Sequence, residues 1–94
     1  MHITYSKHIK NRLSLRKIEY ELPRKIFEQS RERYFDKETG HLIATMRVSL
    51  YNKITEVMIA YVIKGDSATL LTIHPLRENQ KENRIQTGRW RKIK

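Results

Sequence analysis

The stretch Ala68–Trp90, ATLLTIHPLRENQKENRIQTGRW, decides how the chain is read. It opens as an apolar strand, stops at His74-Pro75, and continues as a polar, basic tail ending in Gly88-Arg89-Trp90. Proline offers no N–H to a ladder, so the chain turns off the sheet there. A histidine delivered to the end of a strand, with arginines able to fold back over it, has the parts of a phosphate-handling site. The same residues also suit a plain strand end and a solvated tail.

Working outward, Leu42, Ala44, Met46, Val48 and Leu50 alternate with His41, Ile43, Thr45, Arg47 and Ser49, which predicts a half-buried antiparallel strand with its even positions inward. Asn52-Lys53 reads as a tight turn into Ile54–Ile63, apolar on both faces and suited to the middle of a sheet. Lys64-Gly65-Asp66 turns the chain into Ala68–His74. Arg33–Asp36 reads as an earlier strand and Lys37-Glu38-Thr39-Gly40 as its turn. Toward the N-terminus, Ser6 is placed to cap a helix from Lys7 to about Leu15, with Ile9 and Leu13 on one face. A second helix is expected over Glu19–Gln29, with Pro23 in its first turn. Together these predict one α+β domain: two N-terminal helices packed on a four- to five-stranded antiparallel meander, Ile3–Tyr5 being the fifth strand. After Pro75 the reading leaves two outcomes open. A helical turn fits Leu76–Lys81, and the basic tail 76–94 either packs on the sheet through Ile85 and Trp90 or moves freely until something binds.

Composition narrows the function classes. The chain has 94 residues, hence one domain with a small core, and any chemistry is expected in a shallow cleft. It has no cysteine, which removes disulfides and thiolate metal sites. The longest apolar run, Val57–Ile63, is far short of a membrane span, and the first ten residues lack a signal-peptide core, so the cytoplasm is the expected compartment and no membrane the expected partner. Twenty Lys and Arg against ten Asp and Glu give a net charge of +10. The excess sits at residues 1–33 and 76–94 and leaves a neutral middle. Such a field favours a polyanion, with nucleic acid the leading choice, although solubility or an acidic protein partner also accounts for it.

Each chemistry-bearing residue has two readings. His74 titrates near neutrality and suits the acid/base work of RNA cleavage, or else bonds a neighbouring carbonyl. Arg77, Arg84 and Arg89 could clamp a phosphate through their forked donors, or be a solvated tail. Arg89 beside Trp90 pairs a phosphate binder with an indole able to stack on a base, while Trp90 also suits an anchor on the sheet; Arg91 follows in the same basic run. His8, Arg12 and Arg16 share one helical ridge, either tracking an RNA backbone, with His8 a second acid/base group, or facing solvent. Tyr61 reads as core and Asp36 as a turn-former. The four histidines fall on separate elements without ligand spacing, so neither a metal nor any other cofactor is expected.

The ridge His8-Arg12-Arg16, with Tyr34-Phe35-Asp36, Thr39–Ala44, Tyr61–Asp66, Thr72–Pro75, Gln80 and Gly88–Trp90, resembles the RelE/ParE superfamily of small toxins, closest to an uncharacterised branch whose first helix carries His-x3-Arg-x3-Arg. The resemblance covers most of the chain. It implies helices packed on an antiparallel sheet, action on messenger RNA at the ribosome or on gyrase, and silencing by a small antitoxin protein. The sequence departs from the RelE branch in lacking its full lysine/arginine/tyrosine site on the sheet. The expectation is therefore a metal-independent endoribonuclease toxin acting on RNA, ribosome-bound messenger included. Its expected partner is a small acidic antitoxin, and free it is expected to be a monomer or weak homodimer. The alternatives are a non-catalytic RNA- or DNA-binding module and a toxin that binds a protein target such as gyrase.

Overall fold

The computed structural model describes Met1–Lys94. In chain order the elements are β1 (His2–Tyr5), α1 (Lys7–Arg16), α2 (Leu22–Gln29), β2 (Glu32–Asp36), β3 (Leu42–Leu50), β4 (Lys53–Lys64), β5 (Ser67–Pro75), α3 (Gln80–Gln86) and β6 (Trp90–Lys92). The strands form one sheet in the order β1-β5-β4-β3-β2-β6.

The central four strands follow the local signals. The hairpin between β3 and β4 turns on Tyr51 and Asn52, both at positive φ, as a two-residue loop requires to match the strand twist. The Ser6 hydroxyl accepts the Ile9 N–H at 3.1 Å and starts α1, and Pro23 sits in the first turn of α2, where its missing N–H costs nothing. These two helices cover one face. Ile9, Leu13, Ile18 and Ile26 pack against Val48, Leu50, Val57, Ile59, Leu70 and Ile73 as the main core. Burying each such side chain contributes about 1.5–3 kcal/mol.

The four- to five-stranded antiparallel meander under two helices is not what forms. The sheet has six strands and is mixed, and a third helix follows it. β1 lies parallel to β5, from His2 opposite Ser67 to Tyr5 opposite Leu70, so the first strand closes an edge beside the last strand of the meander. The tail is ordered as well. The helical turn expected at Leu76–Lys81 lies further on, at Gln80–Gln86. Gly88 follows at φ 81°, a backbone state glycine adopts without a Cβ penalty. The chain then pairs antiparallel with β2, Asp36 opposite Trp90 and Tyr34 opposite Lys92. Burial of Trp90, 3% exposed, gives the tail its reason to order; Ile85 stays 41% exposed.

The second face carries its own small core of Tyr34, Ile43, Met58, Ala60 and Trp90, with Leu76 against it. Strand β4 therefore serves both cores, Val57, Ile59 and Tyr61 on one side and Met58 and Ala60 on the other. α3 is tied to this second face by charge rather than by apolar burial, having no buried residue. Lys81 reaches down to Glu56 at 2.9 Å and Glu32 at 3.0 Å, and the Tyr34 hydroxyl donates to Glu32 at 2.9 Å. No helix is long and apolar enough to cross a membrane.

Candidate anion-binding cleft

Between α3, β6 and the second face of the sheet lies an open cleft of about 790 Å³. Its floor is Ile43, Met58, Ala60 and Trp90; its charged lining is Arg12, Arg16, Arg77, Arg84, Arg89 and Asp36, with His41 and His74 at the walls. Five guanidiniums against one carboxylate make it a cationic hollow over an apolar floor.

The strand pairing explains how Arg12, a residue of the helical layer, reaches it. β1 accompanies β5 only as far as Leu70, so the β5 carbonyls beyond are left open at an edge. Ser6 Oγ donates to Leu71 O at 2.9 Å and Arg12 Nε to Ile73 O at 2.9 Å, closing that edge. Arg12 Nη2 then donates to His74 Nδ1 at 2.8 Å. A guanidinium has only donors, so Nδ1 must be the acceptor and the neutral ring carries its proton on Nε2. That Nε2 lies 3.3 Å from Thr72 Oγ1, to which it donates. Burial, then the positive charges of Arg12, His8 and Arg16, hold the imidazole below its ordinary value of 6.5, so it is neutral at pH 7.

The cleft has two unlike ends. Arg12 touches His74 and Arg16 is near enough for its charge to act on it, and neither has a carboxylate partner; nor do Arg77 and Arg84 elsewhere in the lining. At the other end Arg89 is consumed: Nε and Nη2 donate to the two oxygens of Asp36 at 3.0 and 3.1 Å, and Nη1 lies 3.4 Å from Glu38. Asp36 also accepts the Glu38 N–H at 3.0 Å, so its turn-forming role holds alongside the ion pair. Burial raises the Asp36 carboxyl, but Arg89 and that N–H outweigh it and hold it below the usual carboxylate value.

The arrangement sorts the residues singled out from sequence. His74, Arg12, Arg16, Arg77 and Arg84 meet in one place. Arg89 lines the same cleft, yet its fork is filled by Asp36 rather than left open for a phosphate. Trp90 is floor: its indole lies 5.4 Å from the Tyr34 ring at 30°, so it is the anchor and not a free stacking surface. His8 is exposed on α1 outside the lining, near enough for its charge to bear on His74. Arg91 is also outside, its guanidinium 5.4 Å over the Phe35 ring. Tyr61 is core, receiving Arg33 Nη1 on its hydroxyl at 3.1 Å. Thr39, His41 and Thr72 line the cleft without having been singled out; the Thr39–Ala44 and Thr72–Pro75 motifs were their only signals. Comparison with protein-family models, with curated proteins and with solved structures gave no match, so function is argued from this cleft alone.

Proposed function

We propose that the cleft binds the sugar-phosphate backbone of RNA and that the chain is a metal-independent endoribonuclease of toxin type. One observation carries the reading: an imidazole kept neutral at pH 7, in contact with Arg12, lines a cleft with four guanidiniums that no carboxylate neutralises. Forked donors around an open hollow suit phosphate oxygens and the charge that develops on them during transfer. An incoming phosphate competes for Arg12 and frees Nδ1 of His74. That nitrogen then takes the proton of the ribose 2′-hydroxyl. The 2′-oxygen bonds to phosphorus, the bond to the 5′-oxygen breaks, and the departing oxygen takes a proton from water. The products are a 2′,3′-cyclic phosphate and a 5′-hydroxyl. Toxin action and a small acidic antitoxin rest on the resemblance to the RelE/ParE superfamily and on the charge of +10, which favours a partner of opposite sign.

A second reading has its own support. In the resting site both ring nitrogens of His74 are engaged, Nδ1 by Arg12 and Nε2 by Thr72, as suits a module that binds RNA and leaves it intact. End-labelled RNA incubated in chelator with wild type and His74→Ala separates the two. Cleavage that disappears with His74 supports the enzyme. Salt-sensitive binding without cleavage supports the module, because phosphate contacts release counterions. Absence of both leaves a protein-directed toxin.

A further inference from the structure

We propose that Lys81 is a positioning residue of the cleft: by tying α3 to Glu56 and Glu32 it holds Arg77 and Arg84 where RNA phosphates meet them. This deepens the RNA reading above and rests on it. The cleft draws its unpaired guanidiniums from two places in the chain, Arg12 and Arg16 from α1, Arg84 from α3 and Arg77 from the turn before it. The two are held differently. α1 buries Ile9 and Leu13 in the main core, and Arg12 is fixed further by its bonds to Ile73 O and His74 Nδ1. α3 buries no residue at all.

The segment from Leu76 to Arg89 is pinned at its ends. Leu76 packs on the second core and donates its N–H to Glu56 O at 2.8 Å, and Arg89 is held by Asp36. Between those ends Lys81 is the one side chain of α3 bonded to the sheet. The other bonds are local: the Gln80 side chain accepts the Arg77 N–H at 2.9 Å, and Thr87 Oγ1 donates to Arg84 O at 3.3 Å. The restraint passes along them. Gln80 clips the Arg77 backbone to the start of the helix, and Arg84, three residues after Lys81, is its neighbour on the helix surface. An ammonium shared by two carboxylates makes charge-assisted bonds, stronger than neutral ones, and at 17% exposure solvent screens this one little. Coupling of this kind is reciprocal, so an anion bound to Arg77 and Arg84 steadies the same segment that Lys81 steadies.

The test measures affinity for a short single-stranded RNA, and hydrogen exchange with and without it; protection of β3 and β4 reports that each variant is folded. RNA should slow exchange over residues 76–89 of wild type. Lys81→Met should weaken binding about 10-fold, the effect of a binding-competent segment populated about a tenth of the time. That substitution also strands two carboxylates, whose field alone repels RNA. The deciding variant therefore joins Lys81→Met to Glu32→Gln and Glu56→Gln, which leaves the cluster with less negative charge than in wild type, and it should bind as weakly as Lys81→Met. In a background of Arg77→Ala and Arg84→Ala, Lys81→Met should cost less than about 2-fold more, because residues acting through one another are not additive. Wild-type affinity in Lys81→Met, affinity restored in the triple variant, an undiminished loss in the background without the two arginines, or exchange indifferent to RNA would each overturn the positioning role and leave RNA binding standing. A wild type that does not bind RNA overturns the function above together with it.

Discussion

Arg12 Nη2 and His74 Nδ1 are 2.8 Å apart, a guanidinium from the helical layer donating to an imidazole at the end of the sheet across the edge that β1 leaves open. The contact fixes the tautomer, and with burial and the neighbouring charges it keeps the ring neutral. A histidine titration followed by NMR should find His74 below 6.5, and Arg12→Ala should move it up toward that value. The folded chain binds this proton less readily than the unfolded one. His74 therefore adds stability above about pH 6.5, and the contribution is lost as pH falls from there through the folded value. Denaturant titrations at pH 7.5 and 5 should show that loss in wild type and a smaller one in Arg12→Ala.

Arg89 and Asp36 form a two-point ion pair whose carboxylate side chain is 4% exposed. Arg89→Ala leaves that carboxylate buried without its partner and should cost about 2–4 kcal/mol in chemical unfolding, discounted slightly for the partly exposed arginine. Asp36→Asn relieves the stranded charge, so the double variant should recover part of the loss. The depressed carboxyl contributes stability above about pH 4, which is lost as pH falls through its folded value. RNA affinity of refolded Arg89→Ala should change less than that of Arg12→Ala.

Lys81 is the tether of α3. Burial lowers its ammonium pKa, but the hydrogen bonds to Glu56 and Glu32 outweigh that and raise it, while burial and Glu32 push the Tyr34 hydroxyl up to about 12. Lys81→Met removes the cation and leaves two carboxylates facing one another. Hydrogen exchange should then accelerate over residues 76–89, with β3 and β4 unchanged, at a global cost of about 1–2 kcal/mol. Protection of α3 equal to wild type would mean that backbone contacts alone hold it.

Four unpaired guanidiniums imply a salt-dependent affinity. Each phosphate contact to single-stranded RNA contributes about 0.7 to the slope of log affinity against log salt. Arg16→Ala and Arg77→Ala should each lower that slope by about 0.7 and weaken all sequences alike. Arg91→Ala, outside the cleft, should leave it unchanged. Binding isotherms between 50 and 300 mM salt, roughly the range over which such slopes are read, decide this.

Where local chemistry sets the structure, the sequence was legible. Period-two alternation and two turns place β3 to β5 within a few residues, and Ser6 and Pro23 mark the two helices. The parallel partnership of β1 was not legible, because His2 meets Ser67 through a long-range pairing that no local pattern encodes. Nor were α3 and β6: one has no apolar stripe, the other a single apolar side chain in three residues. In the cleft, His74 and the Arg12-Arg16 ridge stood out by position and spacing. Arg89 and Trp90 were visible too, but what they do depends on Asp36 and Tyr34, more than fifty residues away in sequence and brought alongside by the unforeseen β6. Ile43, on the face read as polar, was the residue that betrayed a second core and with it a floor for the cleft.

The most direct measurement uses a short RNA carrying one 2′-deoxy nucleotide, incubated in chelator under single-turnover conditions. Wild type should cut the all-ribose strand to a 2′,3′-cyclic phosphate and a 5′-hydroxyl and spare the bond following the deoxy position, and His74→Ala should lose the reaction. Cutting at the deoxy position, or full activity without His74, would contradict it.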